Sequence, residues 1–261
     1  MSYPNVIYGD YGDQHVAQST KIGGLPLGQL MILPDGGKFR HARAHTALAL
    51  TAGYLYEASG TAGPLAGTGY EKALTCTAAV GATSVVVTCP TGTALIAKTL
   101  DDGYLHVASS SGTGVGYTYK IKTNNSAAAG ATATISLYPS NPIVVAIGGS
   151  TPLVGVKENE YNALDVTTAD TAQKGPLAGI ACMATSAGFY TWVQRSGVNV
   201  CKIGATAMVR GDNVHSSTAV VGHVQNAITA GTTGAKSRGL VGCTMTVSET
   251  GGWSQVNLAL E

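Results

Sequence analysis

The sequence predicts an all-β protein, made of a β-sandwich or small β-barrel domains, and three observations support this. Valine and threonine, whose branched side chains suit a pleated and half-buried surface, are abundant. Glycine occurs 35 times in 261 residues, which is typical of many short strands joined by tight turns. Several segments alternate polar and apolar residues with a period near two, and we find no convincing amphipathic helix longer than about two turns.

The composition points to self-association rather than to a solitary enzyme. Charged residues make up only 11% of the chain, and its formal net charge is +1. Because net charge keeps monomers apart, a surface covered mainly by small uncharged residues favours packing against copies of the same chain. The weak charge also argues against nucleic acid as the main partner, since nucleic-acid binding usually needs a clearly basic face.

The sequence gives no sign of a membrane partner. The segment Met1–Gln14 is polar and lacks the apolar core of an export signal. No stretch approaches the roughly 18 uninterrupted apolar residues of a membrane-spanning helix. We therefore expect the protein to be made and folded in a cytosol.

Composition shifts and turn signals divide the chain into four predicted regions. They are an extended N-terminal arm (1–24), a hairpin region that packs with the C-terminal domain (25–66), an additional β-rich middle domain (67–150) and a C-terminal β domain (151–261). A Gly/Thr/Ala-rich linker, Gly60–Gly69, marks the first domain boundary.

The arm carries three tyrosines, Tyr3, Tyr8 and Tyr11, among Gly, Asp and Gln residues with neither helical nor strand periodicity. A tyrosine ring offers a large contact area at a low entropic cost. The arm is therefore interpreted as a segment that docks on a neighbouring protein, the alternative being a floppy terminus.

A hairpin is predicted over Gln29–His41, with Pro34-Asp35-Gly36-Gly37 at its tip. Its second strand begins the only basic cluster of the chain. The cations of that cluster, Lys38, Arg40 and Arg43, belong either to a solvated strand or to an interface strand that meets an acidic partner surface.

His41 and His45 would share one face of this strand, but about 13 Å apart, and no acidic ligand follows nearby. We therefore expect no metal site there. Further along, residues 47–58 are predicted to form a strand, a turn and a second strand.

The five cysteines lack CxxC spacing, so zinc is not expected. A turn at Gly81–Ser84 would set Val80 opposite Val85 and Cys76 opposite Cys89. Two buried thiols on a core face and a cross-strand disulfide both remain open, although a cytosolic protein normally keeps its thiols reduced.

Two segments near the C-terminus echo each other, Leu177–Gln194 and Leu240–Asn257. They are interpreted as two similar hairpins of one sandwich or small barrel. Their tryptophans, Trp192 and Trp253, occupy matched points. Packing in a core or an interface is the favoured role for these rings, with a sugar-stacking platform as the alternative.

A search for catalytic motifs finds little. The Gly112–Tyr117 segment has G-x-G-x-G spacing and precedes a strand, which indicates a hairpin loop rather than a nucleotide-binding loop. The close acidic pairs are Asp101 with Asp102, which fit a turn, and Glu158 with Glu160, on an apparent strand edge. Neither a G-x-S-x-G nor an HExxH motif occurs. No catalytic, cofactor-binding or metal-binding residue is therefore predicted.

Several of these segments together resemble virion structural proteins of tailed bacteriophages. The resemblance is carried by Leu33–Arg40, Ala52–Tyr56, Gly175–Gln194 with Gly211 and Asp212, and, in the middle region, Asp102–Val107 and Gly114–Ile121. The C-terminal part is similar to head decoration (capsid cement) proteins. These stretches cover about half of the chain.

This resemblance implies a non-enzymatic, all-β homotrimer, made in the host bacterial cytoplasm and seated on the outer capsid surface of the virion. There it would stabilise the capsid by binding across junctions of the major capsid protein, without a cofactor. The protomer and capsid interfaces are then expected to use Tyr3, Tyr8, Tyr11, Lys38, Arg40, Arg43, Trp192 and Trp253. The main alternative is a tail, fibre or spike component that binds a host surface, and a third is a carbohydrate-active enzyme on a β-sandwich.

Overall fold

The computed structural model describes residues 6–58, 70–71, 74–108, 112–148, 153–169, 175–226 and 239–261. The protein is nearly all β, which confirms the predicted fold class. In the described ranges, helical geometry is limited to two 3-10 turns, Asp13–His15 and Ile22–Gly24.

The described strands are numbered in chain order. They are β1 (Val6–Tyr8), β2 (Leu30–Ile32), β3 (Lys38–Arg43), β4 (Leu55–Glu57), β5 (Leu74–Thr75), β6 (Ser84–Thr88), β7 (Tyr104–Val107), β8 (Thr118–Asn124), β9 (Thr132–Leu137), β10 (Leu153–Lys157), β11 (Asp165–Val166), β12 (Leu177–Ala181), β13 (Tyr190–Lys202), β14 (Asn213–Ser216), β15 (Val224–Asn226), β16 (Leu240–Thr244) and β17 (Trp253–Ala259).

The chain divides into two compact units. The first unit combines Met1–Gly60 with Glu160–Glu261, and the second unit is Thr61–Asn159. The strand β10 pairs with β5 and β7 inside the second unit, whereas the sequence assigned it to the C-terminal domain. The predicted linker Gly60–Gly69 lies outside the described residues.

The first unit is built on an eleven-stranded sheet. Its strands follow the order β1-β2-β3-β13-β17-β16-β14-β15, while β4, β11 and β12 branch from this path through the pairing of β12 with β13. The long strand β13 therefore joins the N-terminal hairpin to the C-terminal strands. Its Tyr190–Ser196 half pairs with β3, and its Ser196–Lys202 half pairs with β17.

The predicted hairpin at residues 29–41 is confirmed. Strands β2 and β3 are antiparallel, and the turn closes through a hydrogen bond from the Leu33 amide to the Gly37 carbonyl at 3.0 Å. The Asp35 carboxylate accepts a hydrogen bond from the Gly37 amide at 2.9 Å. Gly36 has φ +83°, a conformation that favours glycine, and this explains the turn sequence.

The described part of the predicted arm, residues 6–24, belongs to the first unit itself. Strand β1 pairs in parallel with β2, and Gln18 and Tyr190 exchange two backbone hydrogen bonds of 3.0 and 2.8 Å. Ile7 and Ile22 pack against a buried cluster that includes Trp192. The arm is thus a short edge strand followed by an irregular segment, residues 9–24, which we call the N-terminal strap. The irregular polar sequence of the arm gave no indication that it would pair with the sheet.

The region 47–58 forms one strand instead of the two that were predicted. Strand β4 pairs with β11 and β12, whereas Leu50 makes only an isolated bridge to Thr185. Gly53, at φ +74°, provides the expected turn before β4.

Both C-terminal hairpins form as predicted and belong to the same sheet. Strand β12 pairs with β13, β16 pairs with β17, and β13 with β17 joins the two hairpins. Alternate residues of these strands fill a common core. Its members are Leu55, Leu177, Ile180, Cys201, Ile203, Met208, Val214, Val224, Val241, Val256 and Leu258.

The second unit is a nearly closed six-stranded barrel. Its strands follow the order β5-β10-β7-β8-β9-β6, all antiparallel, and a bridge between Cys76 and Val87 brings the β5 end of the chain back to β6. The alternation in β8 and β9 matches the pattern expected from their sequences. Their inward side chains fill a core that includes Tyr119, Ile121, Ala133, Ile135 and Leu137.

The predicted register of the cysteine hairpin is wrong by two residues. Cys76 pairs with Val87 rather than with Cys89, and Val80 is exposed instead of facing Val85. After Cys76 the chain pairs with a different segment instead of closing a tight hairpin, because Ala78 bridges Ile147 and the Gly81 amide donates to the Ile143 carbonyl. Both thiols are nevertheless buried in the barrel core and free, as the first alternative expected.

Candidate functional site

Strand β3 presents the three predicted basic residues, but it lies between β2 and β13 and uses two of them within the chain. The Arg40 Nε donates to Glu261 Oε1 at 2.6 Å, and its Nη1 donates to the Gly28 carbonyl at 2.9 Å. The Arg43 Nε bonds to the Gly188 carbonyl at 3.2 Å. Lys38 is half-buried at the start of the strand. Intramolecular partners therefore already bind both arginine side chains.

His41, in the middle of the same strand, is fully buried. Its ring lies 5.7 Å from the Tyr190 ring and 5.4 Å from the Trp192 ring, measured between centroids. The Nδ1 atom lies 3.1 Å from the Pro26 carbonyl oxygen. Within the described ranges no cluster of three or more His, Cys, Asp or Glu side chains could hold a metal ion.

Trp192 and Trp253, the tryptophans of the two similar hairpins, have different environments. Trp192 is only 3% exposed and packs with Leu25, Met31, Leu33 and Phe39, so it is a core residue of the first unit. Trp253 is 48% exposed on the outer side of β17. Of the roles that the sequence left open, core packing applies to Trp192, and Trp253 remains available to a partner.

Trp253 belongs to an unusual solvent-facing surface, which we call the Trp253 face. Its members lie on the outer side of the β13–β17 pair and are Val198, Val200, Lys202, Trp253, Gln255 and Asn257. The register pairs Val198 with Asn257, Val200 with Gln255 and Lys202 with Trp253. The only charge on this face is the Lys202 ammonium, which lies 4.7 Å from the centre of the Trp253 ring.

The backbone beneath the ring supports this surface. Gly53 has φ +74°, and a Cβ atom added there would lie 2.4 Å from the Trp253 ring. The ring therefore rests directly on the Gly53 backbone. An antiparallel sheet normally carries polar side chains on its solvated face. Two half-exposed valines and a supported tryptophan there indicate a contact surface.

The sequence prediction missed Val198 and Val200. Their alternation with Asn199 and Cys201 was a usable signal, because a period of two places both valines on one side of the strand. Which side faced solvent depended on the pairing of β13 with β17, which local sequence does not specify.

The described tyrosines of the arm remain accessible. Tyr8, at the end of edge strand β1, is 82% exposed, and Tyr11 is 66% exposed. Tyr3 lies outside the described residues. Tyr8 and Tyr11 are therefore held in place by their own chain while their rings face solvent.

A cavity of about 140 Å³ lies beneath the arm in the first unit. Its lining consists of Tyr11, Gln14, His15, Leu33, Asp35, Phe39, Cys182, Gln194, Val198 and Asn199. Several of its polar groups already have partners within the chain. The Gln194 Nε2 donates to the carbonyls of Ser196 and Val198 at 3.0 and 3.3 Å, and Asp35 accepts from the Gly37 amide.

The thiol in this cavity is poorly suited to nucleophilic chemistry. Burial raises the pKa of Cys182 to about 12, despite the opposing effect of hydrogen bonds from the Gln194 backbone and the Asn199 side chain. The thiolate is the reactive form of cysteine. At neutral pH this group is therefore a protonated thiol that packs as a small apolar side chain.

The acidic pair at Asp101 and Asp102 forms a structural turn in the second unit. Asp102 has φ +57°, and its carboxylate accepts a hydrogen bond from the Tyr138 hydroxyl. The Asp101 carboxylate accepts from the Thr123 hydroxyl at 2.7 Å. Both carboxyl groups are buried, so they anchor loops around the barrel instead of facing a substrate.

The other predicted acidic pair does not lie on a strand edge. Glu158 follows β10, which is paired on both sides, and only 9% of this residue is exposed. Burial raises the pKa of Glu158 to about 7, with a smaller opposing effect from Lys157. Glu160 is exposed and belongs to the first unit.

The glycine-rich segment from Gly112 is the loop of the β7–β8 hairpin, as its spacing predicted. The Val107 amide bonds to the Tyr117 carbonyl at 3.0 Å, and the Gly116 amide bonds to the Val107 carbonyl at 3.1 Å. No helix follows the loop, because β8 begins at Thr118.

No protein-family model matches this chain, and the comparisons with curated proteins and with solved structures likewise found no match.

Proposed function

We propose that this chain is a non-enzymatic structural protein of a tailed-bacteriophage virion, which decorates and stabilises the capsid as a homo-oligomer, most simply a homotrimer. It would bind across junctions of the major capsid protein on the outer capsid surface. The observation that supports this proposal most strongly is the Trp253 face, a nearly charge-free surface on a rigid sheet.

The physical argument starts from the cost of leaving this face in water. Burial of apolar surface contributes about 25 cal/mol per Å², and a half-exposed tryptophan flanked by two valines offers such surface without ordering a loop. A copy of the same chain brings an equally uncharged surface. Three such faces that converge on one threefold axis would not require a buried charge other than Lys202, which the Trp253 ring already contacts.

The exposed tyrosines of the arm offer a second contact surface, suited to a capsid lattice. The backbone at Tyr8 and Tyr11 is held by β1 and the following turn, so docking would not need to order this part of the chain. Many identical copies on one lattice would add avidity to a weak individual contact.

Self-association is tested by light scattering on the purified protein. We expect a mass of three protomers of 26.3 kDa each. Val200→Lys combined with Trp253→Lys should shift the mass to that of a monomer, because two added charges would face each other at the contact. Val80→Lys combined with Val86→Lys, at two exposed valines of the second unit, is the matched control and should leave the mass unchanged. A wild-type monomer would refute the proposed assembly.

Capsid attachment is tested by sedimentation with empty phage shells. The oligomer should cosediment with the shells, and Tyr8→Ser with Tyr11→Ser should reduce its occupancy while the oligomer persists. Point substitutions are preferable to deletion of residues 1–24, because Ile7 and Ile22 contribute to the core. If the oligomer does not bind shells but associates with isolated tails, the proposal is wrong and a tail, fibre or spike role takes its place.

A further inference from the structure

The second unit has an uneven distribution of charge that its composition does not reveal. Its described acidic residues are Glu71, Asp101, Asp102 and Glu158, and the last three are buried. Its described basic residues are Lys98, Lys120, Lys122 and Lys157, and none of them is buried. Of the charges that this unit shows to solvent in the described ranges, four are therefore positive and one is negative.

Three of the lysines lie on one face of the barrel, which we call the lysine row. Strand β7 lies between β10 and β8, and its Tyr104 is paired directly with Lys157 on one side and Lys120 on the other. Lys122 follows two residues after Lys120 on the outer side of β8. Because all three strands belong to a hydrogen-bonded barrel with a filled core, the backbone positions of the row are fixed relative to one another.

The tyrosine in the row reinforces its positive character. The Lys120 ammonium lies over the Tyr104 ring, 3.8 Å from its centre, in a cation–π contact. No ion pair joins the three lysines to a carboxylate in the part of the chain that the structure describes. Their charges therefore face solvent instead of being neutralised by carboxylates of the same chain.

The spacing of these charges suits an extended polyanion. Lys120 and Lys122 are about 7 Å apart along the strand, and Lys157 lies about 10 Å from Lys120 across two strand spacings. A lysine ammonium is a compact point charge without the planar fork that an arginine offers to one anion. A series of anionic groups along one flexible chain can contact all three lysines.

The composition of the row distinguishes between classes of partner. Protein interfaces are depleted in lysine and enriched in arginine and large apolar residues, and the row has neither arginine nor an apolar centre. Single-stranded nucleic acid binds through aromatic rings open to base stacking, whereas the Tyr104 ring is covered by Lys120. Anionic membranes are bound by clusters of about four to eight basic residues, more than this row contains.

We propose that the lysine row of the second unit binds an acidic polysaccharide, with the three ammonium groups contacting successive anionic groups of the glycan. This inference goes beyond the proposed structural function and does not depend on it, because it concerns only the barrel of the second unit.

The experiment measures binding of the full-length protein to polygalacturonate, with neutral dextran as the comparison polymer, by biolayer interferometry. We expect binding at about 20 mM salt that is lost by about 500 mM, since screening shortens the reach of exposed charges. Combined Lys120→Gln, Lys122→Gln and Lys157→Gln should weaken binding by roughly tenfold or more. A control with Lys21→Gln, Lys174→Gln and Arg210→Gln removes the same number of charges from the first unit and should bind as the wild type does.

The outcomes are distinct. Loss of binding in the row variant alone supports the proposal, provided that circular dichroism shows both variants to be folded. Equal loss in both variants would mean that total charge alone drives binding, and this would overturn it. Failure to bind polygalacturonate, or binding only to an oligo-dT strand or to phosphatidylserine vesicles, would also overturn it and assign the row to another partner.

Discussion

At the residue scale, identical side chains have different roles because their neighbours differ. Trp192 lies at the centre of a buried cluster beside His41, whereas Trp253 rests on Gly53 with half of its surface in solvent. Their matched positions in two similar hairpins did not predict this difference. The first hairpin is covered by the N-terminal strap, and the second has no such cover in the described residues.

Trp192→Ala should reduce the free energy of unfolding by about 4 kcal/mol, because it removes a large buried ring and leaves a cavity. Trp253→Ala should change it by no more than about 1 kcal/mol, since that ring is half-exposed. Urea unfolding followed by circular dichroism measures both values. Equal losses in the two variants would contradict the environments described here.

Glu158 should make stability depend on pH near neutrality. Its pKa is raised in the folded state, from 4.5 to about 7, so the folded protein binds the proton more tightly than the unfolded chain does. Its contribution to the free energy of unfolding is therefore fully present below about pH 4.5. That contribution falls as the pH rises towards 7 and levels off above it, with a total loss of up to about 3 kcal/mol. The melting temperature, measured between pH 5 and pH 8, should fall as the pH rises in the wild type and should fall less in Glu158→Gln. A wild-type slope that Glu158→Gln retains in full would exclude this carboxyl group as its source.

At the element scale, the side chain of Arg195 connects the ends of neighbouring strands in the first unit by hydrogen bonds. The Arg195 Nη1 donates to the Leu177 carbonyl at 2.7 Å, and its Nη2 donates to the Leu260 carbonyl at 2.6 Å. Its Nε also lies 3.4 Å from Glu261 Oε1, which Arg40 contacts from β3. The side chain thereby connects β12 and β13 to the end of β17.

Arg195→Leu should therefore lower the free energy of unfolding by about 3 kcal/mol, because two backbone carbonyls lose charged donors. Glu261→Gln is the matched test of the ion pairs alone and should cost less than about 1 kcal/mol, since these pairs lie near the surface. Chemical unfolding of both variants separates the two contributions. A larger loss in Glu261→Gln would assign the stabilisation to the carboxylate instead.

At the scale of the whole molecule, the five cysteines report on the integrity of both cores. Cys76 and Cys89 lie in the barrel, and Cys201 lies in the core beneath β13 and β17. Burial raises the pKa of Cys76 to about 11 and that of Cys182 to about 12. Cys182 and Cys243 are both half-buried, but Cys182 lines the cavity beneath the arm, whereas Cys243 lies on the Trp253 side of the sheet.

Thiol titration with Ellman's reagent at pH 8 should therefore show one fast group, Cys243, and four that react only as the protein unfolds. Cys243→Ser should remove the fast phase. In urea without reductant the protein should present five thiols, as the free cysteines of the structure indicate. A total of three would mean that one disulfide has formed and would contradict the free cysteines of the structure, with Cys76 and Cys89 as the pair that the sequence singled out.

The features that depend on neighbours along the chain could be predicted from the order of residues alone. The Pro34–Gly37 turn, the glycine loop before β8, the alternation in β8 and β9 and the two C-terminal hairpins were all predictable. Each is set by local backbone preference or by a period of two, which is why the all-β class could be predicted.

Which faces are buried and which strands are neighbours depends on the folded chain as a whole. The parallel pairing of β1 with β2, the Cys76–Val87 register and the exposure of Val198 and Val200 all depend on contacts between distant segments. A shift of register or a change of neighbour alters which side chains meet, and few local residues record that choice. The candidate surfaces of this protein are therefore products of long-range pairing, while the strands that carry them are encoded locally.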